Sequence, residues 1–216
     1  MIPALRARVW PFVGAMLAIH FGLVCWIKGR SSSPEEIWWL SHFSLGVTSA
    51  ALLTRSARLA SVALVLILIP HALWLIDCAG LYALGRSPMG ITAYLRDADA
   101  WGWVGTAHHF YLIPLLAFVL RSERAFTLRA LPMAAGLLVL LTIVSRVGLP
   151  PASNVNYAFA VLPGVQLGPV VWCNGLPAPL YLLVINAWVV VTMFLPSSLV
   201  LRAVAGRRRR SAARPA

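Results

Sequence analysis

Charge is what this 216-residue chain has least of: 11% of its residues are charged and only 6 are acidic, against 60% hydrophobic. A soluble domain carries roughly 25% charge, so a water-facing surface of ordinary composition is excluded. A mean hydropathy of +0.82 places the chain in lipid. Cysteine is also sparse. The 3 cysteines, Cys25, Cys78 and Cys173, show no C-x-x-C spacing, which excludes a zinc ribbon or a dithiol redox motif. A bridge between Cys78 and Cys173 stays open for an oxidising compartment. A signal-peptide cleavage site is missing too: Lys28, Gly29 and Arg30 follow the first apolar run, and Val24 ahead of Cys25 does not suit a lipoprotein. The first helix is therefore expected to stay attached.

What the chain does have is apolar runs of spanning length. A transmembrane helix needs about 20 mostly apolar residues, and residues 9–27, 37–54, 59–80, 102–120, 130–147 and 180–204 each come close. The expected fold is an all-α polytopic membrane protein, a six-transmembrane-helix bundle over residues 1–206 with two long outer-face loops and a basic cytoplasmic tail at 207–216. The net charge of +12 becomes an orientation signal once the loops are assigned, because thirteen of the 18 basic residues fall on one side if the N-terminus is cytoplasmic. Basic residues are retained inside during insertion. Both termini are thus expected in the cytoplasm of a cytoplasmic (inner) membrane, with Glu35, Glu36, Asp97 and Asp99 outside. Arg207, Arg208, Arg209, Arg210 and Arg214 are expected to hold anionic lipid headgroups at about 1 kcal/mol each. No aromatic residues alternate with them, so nucleic acid is not an expected partner.

The connectors at 81–101 and 148–179 are too long for turns. The first mixes Arg86, Arg96, Asp97 and Asp99 with Trp101 and Trp103, as an interfacial segment does. The second is apolar and rich in Pro and Gly, with polar insertions at Asn154, Asn156, Gln166 and Asn174. Non-helical backbone at membrane depth survives only against protein or a wet cavity. Both are candidate lids over an outward-opening pocket.

The polar residues inside the spans gather at one level. At the helical rise, Ser41 and His42 lie roughly 6 to 8 Å below the outer end of the second span, His71 about 13 Å, Asp77 within about 5 Å, and His109 about 10 Å. His71, Trp74, Asp77 and Cys78 share one stripe of the third span, and Ser41, Ser44 and Thr48 another on the second. Pro70 and Pro114 each free a backbone carbonyl nearby. Intramembrane ionisable groups are a functional-site hypothesis by default. His108 is a hundred degrees around the helix from His109, so one of the pair, His109, is expected to face the centre. His20 has no expected partner.

Trp39-Leu-Ser-His-Phe-Ser-Leu45, Trp74-Leu-Ile-Asp77, the histidine of the fourth span, Ser153-Asn-Val-Asn-Tyr-Ala-Phe159 and Leu195-Pro-Ser-Ser-Leu199 together resemble a family of small bacterial six-helix integral membrane proteins without an assigned activity. More remotely, the small residue before His42, the histidine of the fourth span and the Asn-x-Asn-aromatic stretch look like the YwaF-type group, with its membrane phospholipid acyltransferase and the androgen-induced fatty-acid-ester hydrolases as cousins. That resemblance implies a nucleophile at Ser41, where the acyltransferase has Cys, and a base at His109. Covalent acyl transfer is weakened by the change, because Ser depends on a base more than Cys does.

One reading is therefore a serine/histidine lipid hydrolase or acyltransferase. Ser41, His109, His71 and Asp77 would be catalytic, and His42, Trp74, Asn154, Asn156 and Asn174 would bind substrate, with no metal or cofactor. A second reading, from another class, has His42, His71 and His109 holding haem or a metal between helices. A third is a non-catalytic scaffold or assembly subunit that docks a membrane protein partner on the apolar outer loop; a transporter is less suited to six helices without a broken pair.

Overall fold

The computed structural model describes residues 3–123, 126–127, 129–161 and 168–212. Arg124, Gln166 and Arg214 fall outside these, as do the side chains of Arg207, Arg208, Arg209 and Arg210. The α-helices, in chain order, are α1 (Pro3–Gly29), α2 (Leu40–Leu53), α3 (Ala57–Leu84), α4 (Ala100–Thr106), α5 (His108–Glu123), α6 (Ala130–Gly148), α7 (Ala178–Val189) and α8 (Leu195–Ala212). Among the described residues there is no strand. The fold is an all-α, membrane-embedded bundle. Among the described residues, five stretches are long and apolar enough to cross a bilayer: Val9–Gly29, Ala57–Leu84, Ala100–Arg121, Ala130–Gly148 and Ala178–Ala203. The remaining expected span is the shorter apolar helix α2.

That helix starts at Leu40 rather than near 37. Pro34–Trp38 forms a separate 3-10 turn, and Trp39 adopts φ −56° and ψ 137°, which breaks the helical path. The broken backbone is met by Asn156, whose Oδ1 accepts from Leu40 N–H at 2.8 Å while its Nδ2 donates to Trp38 C=O at 2.8 Å. Helix α3, by contrast, runs a turn beyond the expected Gly80. Ser56 caps its start by accepting from Leu59 N–H, and Gly85 at φ 67° ends it in the left-handed conformation that glycine takes without strain. Gly80 lies inside α3, and its missing side chain admits Pro88 of the following loop; a Cβ there would sit 2.5 Å from the proline ring.

The fourth span is two helices. Asp99 caps α4 through Gly102 N–H at 2.8 Å, and the chain then tightens around Ala107, where Ala107 N–H reaches Val104 C=O and Phe110 N–H reaches Ala107 C=O. Trp101 and Trp103 belong to α4, not to the connector. The last span passes through a π turn at Val190–Phe194 between α7 and α8. Pro196 has no N–H to give the Thr192 carbonyl a turn earlier, which accounts for the disturbed ladder.

Helix α3 lies in the middle, packed by α2, α5, α6 and the last span. Its buried stretch from Ala60 to Ile67 centres the main apolar core, which extends to Leu112 and Leu116 of α5 and Ala134 and Leu138 of α6. On the flank, α1 approaches α2 closely at Gly14. A Cβ there would meet Leu53 N at 2.8 Å, and Ser49 Oγ donates to the Gly14 carbonyl at 2.8 Å, as small residues allow between membrane helices. At the loop end of the bundle, Lys28 pairs with Glu36, and Trp26 meets Trp101 edge-on at 5.6 Å. All three cysteines are free. Cys78 and Cys173 pack in different apolar clusters, beside Leu81 and Tyr181 respectively.

Candidate functional site

The break at Ala107 creates the site. In a continuous helix Phe110 N–H would bond the Thr106 carbonyl; here it bonds Ala107 instead, and the released Thr106 carbonyl accepts from His109 Nδ1 at 2.9 Å. A carbonyl can only accept, so Nδ1 carries the ring proton and Nε2 keeps a lone pair. The same logic applies to His42, whose Nδ1 donates to the Glu36 carbonyl at 2.7 Å and whose Nε2 is left with its lone pair. These two histidines are held by backbone and aimed by it.

His71 and His108 are different. They are 2% and 0% exposed, and all four of their ring nitrogens are buried without a hydrogen-bond partner. Each such group costs roughly 1–3 kcal/mol when desolvated, and buried polar atoms are rarely left so. Both rings sit beside His109. The ring centroids of His71 and His109 are 4.2 Å apart, those of His108 and His109 4.2 Å, and those of His71 and His108 5.7 Å. One nitrogen from each of the three lies within 4.8 Å of the others. His42 adjoins the group, its centroid 5.3 Å from that of His108.

The expectation that one of His108 and His109 faces the centre is corrected. Both do, because the fourth span has protein on two sides: His109 turns to α3, where Trp74 stacks on it at 4.3 Å and 19°, while His108 also approaches His42 of α2 and His20 of α1. His20 likewise has partners. Its Nε2 donates to the Val104 carbonyl at 2.9 Å, and Nδ1 bonds the Tyr111 hydroxyl. That histidine is satisfied on both nitrogens and has no lone pair to offer. The Trp74 indole N–H donates to Tyr94 Oη at 3.1 Å. Tyr94 as a residue is 52% exposed, but its hydroxyl is turned inward against Trp74, and this desolvation pushes the phenol up to about 12, so it remains neutral.

Other expected site residues are engaged elsewhere. Asp77, although buried on the His71 stripe, accepts from Ser87 Oγ, Met89 N–H, Thr92 N–H at 2.7 Å and Thr92 Oγ1 at 2.9 Å, none of them a histidine. It fastens the loop after α3. Asn154 accepts from Phe159 and Ala160 N–H and donates to Ala160 C=O; Asn174 pairs with both backbone groups of Val161; Asn156 joins α2 to Ser145 of α6. Their amides stitch the second loop instead of pointing into a pocket. Ser41, in the first turn of α2, is half-buried and makes no hydrogen bond to His109 among the described residues. Ser44 and Thr48 donate to carbonyls one turn back, as membrane hydroxyls ordinarily do.

Three imidazoles at this spacing can hold a first-row transition ion. At 2.0–2.1 Å per bond, ligand atoms on a tetrahedral ion stand about 3.4 Å apart, so a ring rotation brings the group from 4.8 Å into range. The bond from His109 Nδ1 to the Thr106 carbonyl is the outer support that metal-binding histidines usually have. A haem fits less well, because a macrocycle needs a flat slot between two imidazoles, and here rings 4.2 Å apart are backed by stacked Trp74. No protein-family model, curated protein or solved structure matches the chain.

Proposed function

We propose that this protein binds a transition-metal ion inside its helix bundle, with His71, His108 and His109 as ligands and His42 poised beside them. The observation that carries the reading is the set of four buried, unpartnered nitrogens on His71 and His108. Two such rings packed together cost stability in the empty protein, and an ion that takes a lone pair from each offsets it. Purified from metal-supplemented cells and washed with a weak chelator, the protein should retain one ion per chain by elemental analysis. His71→Ala and His109→Ala should lose it. His20→Gln, at a ring already satisfied, should keep it. Wild-type protein that stays metal-free after incubation with copper, zinc, nickel and iron salts would sink the proposal.

Lipid-ester chemistry has less support, since Asp77 and the three asparagines are occupied by loop and helix-end groups and Ser41 is not bonded to His109. Fluorophosphonate labelling of metal-free protein, lost in Ser41→Ala and in His109→Ala, would put that chemistry in place of metal binding.

The orientation belongs to the same proposal: both termini in the cytoplasm of a cytoplasmic-type membrane, the two long loops outside, and the arginine run at the anionic headgroups. Thirteen of the 18 basic residues then lie inside. A reporter active only outside the cytoplasm, fused at Ala216, should be silent, and the same reporter at Pro151 active. The reverse pattern would invert the topology.

A further inference from the structure

The proposed site contains imidazoles only. A neutral imidazole binds a cation without cancelling any of its charge. The carboxylates on the surrounding elements are engaged otherwise: Asp77 holds four donors of its loop, and Glu36, whose backbone carbonyl positions His42, pairs through its side chain with Lys28. Cys78, the thiol on the His71 stripe, packs with Leu81 and Leu95 in the apolar cluster at the loop end. No ligand atom therefore cancels the charge of a buried ion held by His71, His108 and His109. The self-energy of a buried ion rises with the square of its charge, so a divalent ion costs about four times what a monovalent one does. Hard monovalent ions prefer oxygen ligands. Among the metals suited to imidazole, copper is the one with a stable monovalent state.

Resting on the metal-binding reading above, we propose that the site takes copper and holds it as the cuprous ion. A closed-shell cuprous ion is content with three nitrogen ligands and needs no water, which suits a group whose two least exposed members are fully enclosed. The same charge argument disfavours oxidation in place, because the cupric ion would add a second uncancelled charge.

The test uses the full-length protein in lipid nanodiscs, loaded anaerobically with cuprous ion under ascorbate and challenged with a cuprous chelator. Silver(I) and zinc(II) are run in parallel with competitors of their own. One cuprous or silver ion per chain should survive, zinc should bind at least about 100-fold more weakly, and the copper should remain silent in paramagnetic resonance after exposure to air. X-ray absorption should show nitrogen scatterers without sulfur. His71→Ala should abolish the binding; if that variant does not fold, His109→Ala gives the same test. Zinc held as tightly as copper, or a full cupric signal in air, overturns the cuprous assignment and leaves metal binding standing. Copper that survives both histidine substitutions with sulfur scattering belongs to the cysteines and overturns it too. If none of the three ions is retained, both proposals fall.

Discussion

His71→Leu raises the melting temperature of the metal-free protein and abolishes its metal binding. The two effects have one cause. In the empty site, both nitrogens of His71 are buried at 2% exposure without a partner, and each such atom costs roughly 1–3 kcal/mol. Leucine has a similar volume and no polar atoms, and exchanging buried polar groups for an apolar residue of the same size is often stabilising. At about 2–4 °C per kcal/mol for a chain of this length, the expected gain is about 5–10 °C, read by tryptophan fluorescence in detergent with a chelator present. Adding metal reverses the ranking, because an ion that binds only the native wild type stabilises it by mass action. His71→Ala does not serve here, since the cavity it leaves masks the gain. A leucine variant that melts lower than the metal-free wild type, and still binds metal, would show that His71 is a packing residue.

Asp77→Ala has the opposite profile: a large loss of stability with metal binding intact. Removing the carboxylate strands the Met89 and Thr92 N–H groups and the Ser87 and Thr92 hydroxyls together. Charge-assisted bonds are worth about 1.5–3 kcal/mol each, but the loop can detach and rehydrate, so we expect about 3–5 kcal/mol in place of the full sum. Detachment also releases Pro88 from its contact over Gly80. Trypsin should then cut at Arg86 in folded protein, where the wild type resists. Metal loss in this variant, without that cleavage, would return Asp77 to the site.

These two residues also show what was legible in the sequence. The periodic stripe of His71, Trp74 and Asp77 on the third span is real: all three are buried in α3. Yet the depth coincidence that grouped Asp77 with the histidines could not reveal that a loop 10 to 15 residues further on would claim its oxygens. The same holds for Asn156. Its polarity marked it, but its role is to receive the broken start of α2, 116 residues away in the chain. The inward turn of His108 depends on neighbours on two sides of one helix, which a single helix's pattern does not record. The apolar runs, by contrast, needed no partner to be read. Their length and composition alone gave the all-α membrane bundle, with ends missed by up to a turn where Gly80, Trp39 and Ala107 behave as their tertiary surroundings require.

The shortness of α2 reaches beyond the protein itself. Its 14 residues span about 21 Å, against a hydrocarbon thickness of about 30 Å. The Pro34–Trp38 turn and Asn156 meet the start of this short helix. Among the described residues, the five longer apolar stretches match that thickness and α2 does not. Lipid meeting α2 would have to shorten or tilt to match it, at fractions of a kcal/mol per Å. A short helix of this kind would favour a thin or compliant membrane over a thick, stiff one.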